Sequence, residues 1–240
     1  MAFRRNPNLR SITIPDGVTS IGESAFESCY SLSCIIIPDG VTSIGSYAFE
    51  KCSSLRSISI PNGVTLIEIG TFSECQEMIS VSIPDCVTMI KNDAFWACHA
   101  LSDIIIPDSV IYIASSAFYN CGALRSISIP DSVLHLGDFA FKGCHNLTSI
   151  TISNSITRID MDTFYGCSQL EAVTLPENLA YIGETAFYGC KSLSILTVPK
   201  SVQFIAPGAF NKCDSLTIHT EIYSYAATYA REKGIPLSYI

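Results

Sequence analysis

The sequence is short of charge. Only 15% of its 240 residues are Asp, Glu, Lys or Arg, and acids outnumber bases 22 to 14, giving a net charge of −8. A chain of that sign has no basic footprint for nucleic acid and none for an anionic membrane surface. It has no apolar run near the roughly 18 residues that a membrane-spanning helix needs. The opening Met1-Ala2-Phe3-Arg4-Arg5-Asn6-Pro7 contains no apolar stretch of secretory-signal length. Glycine-rich phosphate loops are missing too. The four histidines, His99, His135, His145 and His219, have no carboxylate or cysteine at a spacing that marks a triad, a dyad or a zinc site. The reading is therefore of a chain without catalytic residues, cofactor or metal. What is plentiful is apolar: 48% of the residues, enough for a large buried core.

Cysteine is also plentiful, and its placement gives the organisation away. Eleven cysteines cannot all pair within one chain. Nine of them recur at a fixed interval of 23 residues: Cys29, Cys52, Cys75, Cys98, Cys121, Cys144, Cys167, Cys190 and Cys213. A phenylalanine stands three residues before each, from Phe26 to Phe210, and a large apolar residue three after, from Leu32 to Leu216 with Met78 the one substitution. The consensus is L-x-x-I-x-I-P-D-x-V-x-x-I-x-x-x-A-F-x-x-C-x-x, and no insertion interrupts it. A fixed period of this length marks a solenoid.

Each segment of the repeat has a physical reading. L-x-x-I-x-I alternates as a strand does, and the proline after it ends the strand because it cannot donate to a ladder. Asp16-Gly17 and their equivalents are turn residues. V-x-x-I is a second short extended piece, and A-F-x-x-C is expected to form a single helical or 3₁₀ turn. One coil cannot bury its own apolar faces, whereas stacked coils bury each other's. The expected fold is a mainly β repeat solenoid, a right-handed curved array of about nine coils with a short C-terminal helix cap. Residues 1–8 form a partial, uncapped first coil, residues 9–215 the nine full coils, and residues 216–240 a strand-helix-strand cap. Ala2 and Phe3 fall in the Ala and Phe registers and Asn6 in the cysteine register, which reads as an array cut from a longer one. Residues 223–233 read as the cap helix, with Gly234 and Pro236 ending it, and residues 237–240 as a last strand.

The motif, as in Leu124-Arg125-Ser126-Ile127-Ser128-Ile129-Pro130 followed by Val133, Leu136, Ala140, Phe141 and Cys144, resembles the BspA-like class of leucine-rich repeats over residues 2–216. The tail from Tyr225 to Pro236 is similar to the ending of bacterial members. The resemblance implies a secreted or surface-exposed protein associated with adhesion to host proteins or cells, with no catalytic residues in the repeat. It carries over no binding residues, because the motif is architectural.

Candidate sites come from residues that the coil does not require. The nine in-phase cysteines read as a structural thiol ladder, since free buried thiols are good small core groups. Cys34 and Cys86 lie outside that ladder and are the expected reactive thiols. An acidic row after the prolines (Asp16, Asp39, Asp85, Asp108, Asp131, Glu177) reads as turn chemistry rather than a calcium site. The outward positions of the first strand, such as Thr13, Ser59, Ser128 and Thr151, form a hydroxylated wall. Two further registers change along the chain. The residue after the Phe is acidic or small in coils one to three and then becomes Trp96, Tyr119, Lys142, Tyr165 and Tyr188; the residue before the second-strand Ile becomes Tyr112, His135, Arg158, Tyr181 and Phe204. Aromatics with a polar tip are enriched at interfaces.

These features point to a non-catalytic recognition module. The partner is a protein or a glycan docking on coils four to eight, with a homodimer through the uncapped first coil as a further expectation. A structural spacer in a longer surface protein and an intracellular scaffold are the alternatives. The place is the cell surface or outside for a piece of a longer chain, and the cytoplasm if Met1 is the native start.

Overall fold

The computed structural model describes residues 2–240. Each repeat makes one circuit with three walls. The first wall is a strand of two or three residues, Ser11–Thr13 in coil one and Ile195–Thr197 in coil nine. Side chains alternate along it, so Ile35 or Ile58 enters the core while its neighbours face water. Pairing is parallel at a shift of one repeat, Ser11 with Cys34 and Thr13 with Ile36. The proline then closes a β-turn, the Pro15 carbonyl accepting from the Val18 N–H at 3.0 Å. Coil seven has Ser153 in place of the proline; it is buried, and its hydroxyl donates to the Val133 carbonyl at 2.8 Å. The second wall is a two-residue strand, from Ser20–Ile21 to Phe204–Ile205, that points the isoleucine inward.

The third wall is not the expected helical turn. Along it, N–H groups alternate in direction. Ala25, Glu27 and Cys29 donate to carbonyls three residues back in their own coil, while Ser24, Phe26 and Ser28 donate to Ser46, Ala48 and Glu50 of the next coil at 3.0, 2.8 and 2.7 Å. A helical turn would direct every N–H along its own axis and leave nothing for the neighbour. The alternation requires left-handed backbone at two registers, occupied for example by Ser24 (φ 52°) and Ser28 (φ 60°). Such residues are unfavourable unless glycine, and coils six to eight do use Gly143, Gly166 and Gly189 there. The inter-coil hydrogen bonds offset the strain in the others.

The core is a set of ladders. From Phe3 to Phe210 the rings stack with centroids 5.2–5.9 Å apart. Beside them the thiols of all nine in-phase cysteines, unpaired by disulfides, donate to the carbonyl of the phenylalanine one coil back; Cys121 reaches Phe95 at 3.2 Å. Residues 2–8 continue the third wall, with Phe3 stacked on Phe26 and the Cys29 thiol on the Phe3 carbonyl.

At the far end, strand Thr217–Thr220 is followed by a helix at Tyr225–Lys233, with Ser224 as N-cap and Gly234 as C-cap. The helix buries Ala226, Ala227, Tyr229 and Ala230. Tyr229 meets Phe210 edge-on at 6.1 Å, which ends the ring ladder. Strand Leu237–Tyr239 pairs in parallel with Thr217–Thr220.

Two consequences can be measured. Phe118, stacked on both faces, should lose roughly 3–5 kcal/mol on truncation to Ala, and Phe3, stacked on one face and partly exposed, clearly less; urea unfolding of F118A and F3A compares them. The second concerns pH. Burial pushes the thiols of Cys29, Cys52, Cys75, Cys121 and Cys167 up, and those of Cys98 and Cys144 to about 12, while a hydrogen bond with Cys213, and then burial, raises that of Cys190. Below about pH 8 both folded and unfolded chains keep these protons, so stability is independent of them. Above about pH 9 only the unfolded chain releases them, and stability falls by up to roughly 1.4 kcal/mol per buried thiol per pH unit. Urea midpoints that stay level from pH 8 to 10.5 would contradict this.

Candidate functional site

Coils rise by about 5 Å each, a separation at which aromatic rings in one register stack. The residues after the ladder phenylalanines do so: Trp96 on Tyr119 at 5.9 Å and Tyr165 on Tyr188 at 4.6 Å. Lys142, in the coil between the two pairs, lays its ammonium 4.3 Å from the Tyr165 centroid and pairs with Asp162 at 2.6 Å. Lys212 covers Tyr188 at 5.3 Å. In the second register Tyr112 stacks on His135 at 4.5 Å. After a lapse in strand pairing, Arg158 covers Tyr181 at 3.9 Å, and Tyr181 stacks on Phe204 at 5.3 Å. Apart from the buried Asp162, all of these side chains are at least partly exposed.

Sequence reasoning missed three members of this flank. Tyr225, on the cap helix, continues the second row from Phe204 at 6.5 Å, but it lies beyond the periodic part, so no register pointed to it. Ile111 and Leu134 are exposed beside Tyr112 and His135, with the Leu134 N–H on the Ile111 carbonyl at 3.0 Å. Their signal was in the sequence: the same position is Thr19, Thr42, Thr65 and Thr88 in the first four coils.

Stacking decides what the rows can contact. A ring face covered by another ring or by a cation is closed to a ligand, and the outward parts are ring edges and polar tips. A sugar that packs its C–H groups on a ring face finds few open faces here. A protein surface can bury edges and hydrogen-bond the hydroxyls.

The other candidate residues resolve into architecture. The acidic row is exposed from Asp16 to Glu177; Asp131 accepts from the Asn154 N–H at 2.8 Å, binding one coil to the next. Among the described residues no group of three His, Cys, Asp or Glu is placed to hold a metal. His99 and His145 each use Nδ1 on a carbonyl of the following coil, Asn120 and Gly166. The hydroxylated wall is exposed, and its ladder lapses between coils five and six. There it opens a groove of about 530 Å³ lined by Asp103, Ile105, Ser126 and Ser128 among others.

Cys86 occupies the register of Ser109 and Ser132, whose hydroxyls donate to Val87 and Val110 carbonyls one coil back; its thiol does the same, to Val64 at 3.2 Å. Cys34 is exposed on the first wall. A maleimide applied to the native chain should therefore label Cys34 first and Cys86 more slowly, and the nine ladder cysteines only in denaturant. Mass spectrometry of the peptides reads this, and early labelling of Cys98 or Cys121 would contradict the buried ladder.

Three lines of comparison bear on the family. The profile of the BspA type leucine rich repeat region, in six copies, matches residues 1–102 and 88–217. No curated protein matches the chain. Among solved structures, a leucine-rich repeat protein from Bacteroides ovatus is similar at 26% identity and a TM-score of 0.65, over 100% of this chain and 80% of that one. The T. pallidum leucine rich repeat protein matches at 27% identity and 0.66, over 78% and 85%. A leucine rich cell surface protein from Faecalibacterium prausnitzii matches at 28% and 0.50, over 92% and 81%. Among the described residues no helix is long and apolar enough to cross a membrane. With the repeat profile spanning residues 1–217 and solved relatives of the same architecture, the chain belongs to the BspA type leucine-rich repeat proteins.

Proposed function

We propose that the chain is a non-catalytic recognition module that binds a protein partner across its aromatic flank, from coil four to the cap, outside the cell or on its surface. The observation that carries this is the pair of ring rows outside the core, Trp96–Tyr119 to Tyr165–Tyr188 and Tyr112–His135 to Tyr181–Phe204–Tyr225. The hydrophobic core is complete without them, and a spacer needs no such rows. Partly exposed aromatics of this kind are the residues that dominate binding energy at interfaces. The exposed Ile111 and Leu134 add apolar area beside them. The covered ring faces favour a protein over a glycan. The leucine rich cell surface protein among the solved relatives supports the location.

The test is a triple variant, W96A/Y119A/Y188A, probed by surface plasmon resonance against a panel of immobilised extracellular-matrix proteins and glycans. Truncating anchors of this class costs about 2 kcal/mol each or more, so a protein on the panel should lose at least about 30-fold in affinity. Circular dichroism should remain that of the parent. A folded triple variant that binds as the parent does would refute the proposal, and retention of glycans alone would refute its choice of a protein.

A further inference from the structure

The first ring row starts abruptly. Its register runs Glu27, Glu50, Ser73, Trp96, Tyr119, so coil three contributes only a small, buried serine between a carboxylate and an indole. One face of Trp96 lies against Tyr119. Among the described residues no ring and no cation covers the other face, which looks toward coil three. In the second pair of the same register the outer ring faces are covered by lysines: Lys142 lies before Tyr165 at 4.3 Å, and Lys212 beyond Tyr188 at 5.3 Å. In the second row Arg158 does the same for Tyr181 at 3.9 Å. At Ser73 the rung is missing.

The charge around this notch has one sign in excess. Glu50 and Glu74 share a single lysine, Lys51, at 3.4 and 3.3 Å, and both carboxylates are partly exposed. The rungs of coils two and four are two coil rises apart, about 10 Å. A cation halfway between them sits about 5 Å from the indole, inside the roughly 6 Å over which a ring face attracts a cation, tryptophan being the best acceptor. Its other side meets the surplus carboxylate.

We infer that the notch over Ser73, walled by the Trp96 face and by Glu50 and Glu74, takes an Arg or Lys side chain of the protein partner as the missing rung of the first row. The inference rests on the flank being a binding surface and names the chemistry that its N-terminal end selects. The partner would present a cationic side chain at this point and apolar contacts beyond it.

Trp96 is the single tryptophan of the chain, so its fluorescence reports this place alone. The experiment titrates the intact protein with a tri-arginine peptide and, in parallel, with the matching citrulline peptide, which keeps the shape and lacks the charge. Tri-arginine should change the Trp96 emission saturably, with an effect that weakens at high salt. In the E50Q/E74Q variant its affinity should fall about two- to fivefold, the scale of an exposed cation–ring contact with its counter-charge. Ser73→Lys, at a register that already accepts Lys142, should supply the rung internally and abolish the response. An equal response to the citrulline peptide, or an unchanged one in E50Q/E74Q or S73K, would overturn the notch. Failure of these arms while the alanine variants still lose their partner leaves the flank standing without the notch. Loss of both removes the binding reading itself.

Discussion

The rest of the structure depends on the stacking of one coil on the next at a constant rise. That rise is set by hydrogen bonds between backbones, and the third wall shows how strictly. Every second N–H there is turned outward to the following coil, at the expense of left-handed backbone at residues such as Ser28 and Lys51. Once the rise is fixed, every register becomes a column in which like side chains meet. The phenylalanines must stack, the thiols must find the carbonyl one coil back, and no insertion is tolerated in the period.

The same constraint turns the surface into columns. In a globular domain, exposed aromatic residues scattered over a hundred positions would have no reason to touch. Here Trp96 and Tyr119, or Tyr181 and Phe204, are brought together because they share a register. The lapse in second-wall pairing between coils six and seven divides the second row into two runs, and the cap helix extends it with Tyr225. The proposed binding surface is thus a by-product of architecture, written by changing residues that the core leaves free. Its acidic start at Glu50 and its aromatic continuation give it a direction along the solenoid.

The architecture was legible in the sequence because nine repeats of one pattern average out local ambiguity. Both walls of strands, the proline turn and the buried cysteines follow from registers that only one packing satisfies, and the C-terminal helix from its stop signals Gly234 and Pro236. The helix was placed two residues early, at Tyr223, because Ser224 takes the N-cap position and accepts from the Ala227 N–H. The third wall was misread for a deeper reason. A-F-x-x-C has the spacing of a helical turn, and nothing in a single coil reveals that its N–H groups are needed by the next one.

By itself, then, the sequence determined the period, the core columns and the positions free to vary, since each is a property of the repeat. Only the tertiary structure decided which surface residues touch and which ring faces are closed. Those facts depend on the rise between coils and on the cations Lys142, Arg158 and Lys212 lying flat on their neighbours. A long side chain can leave its register's column or lie along it, and the choice is made by the coil above and below, which no single repeat encodes.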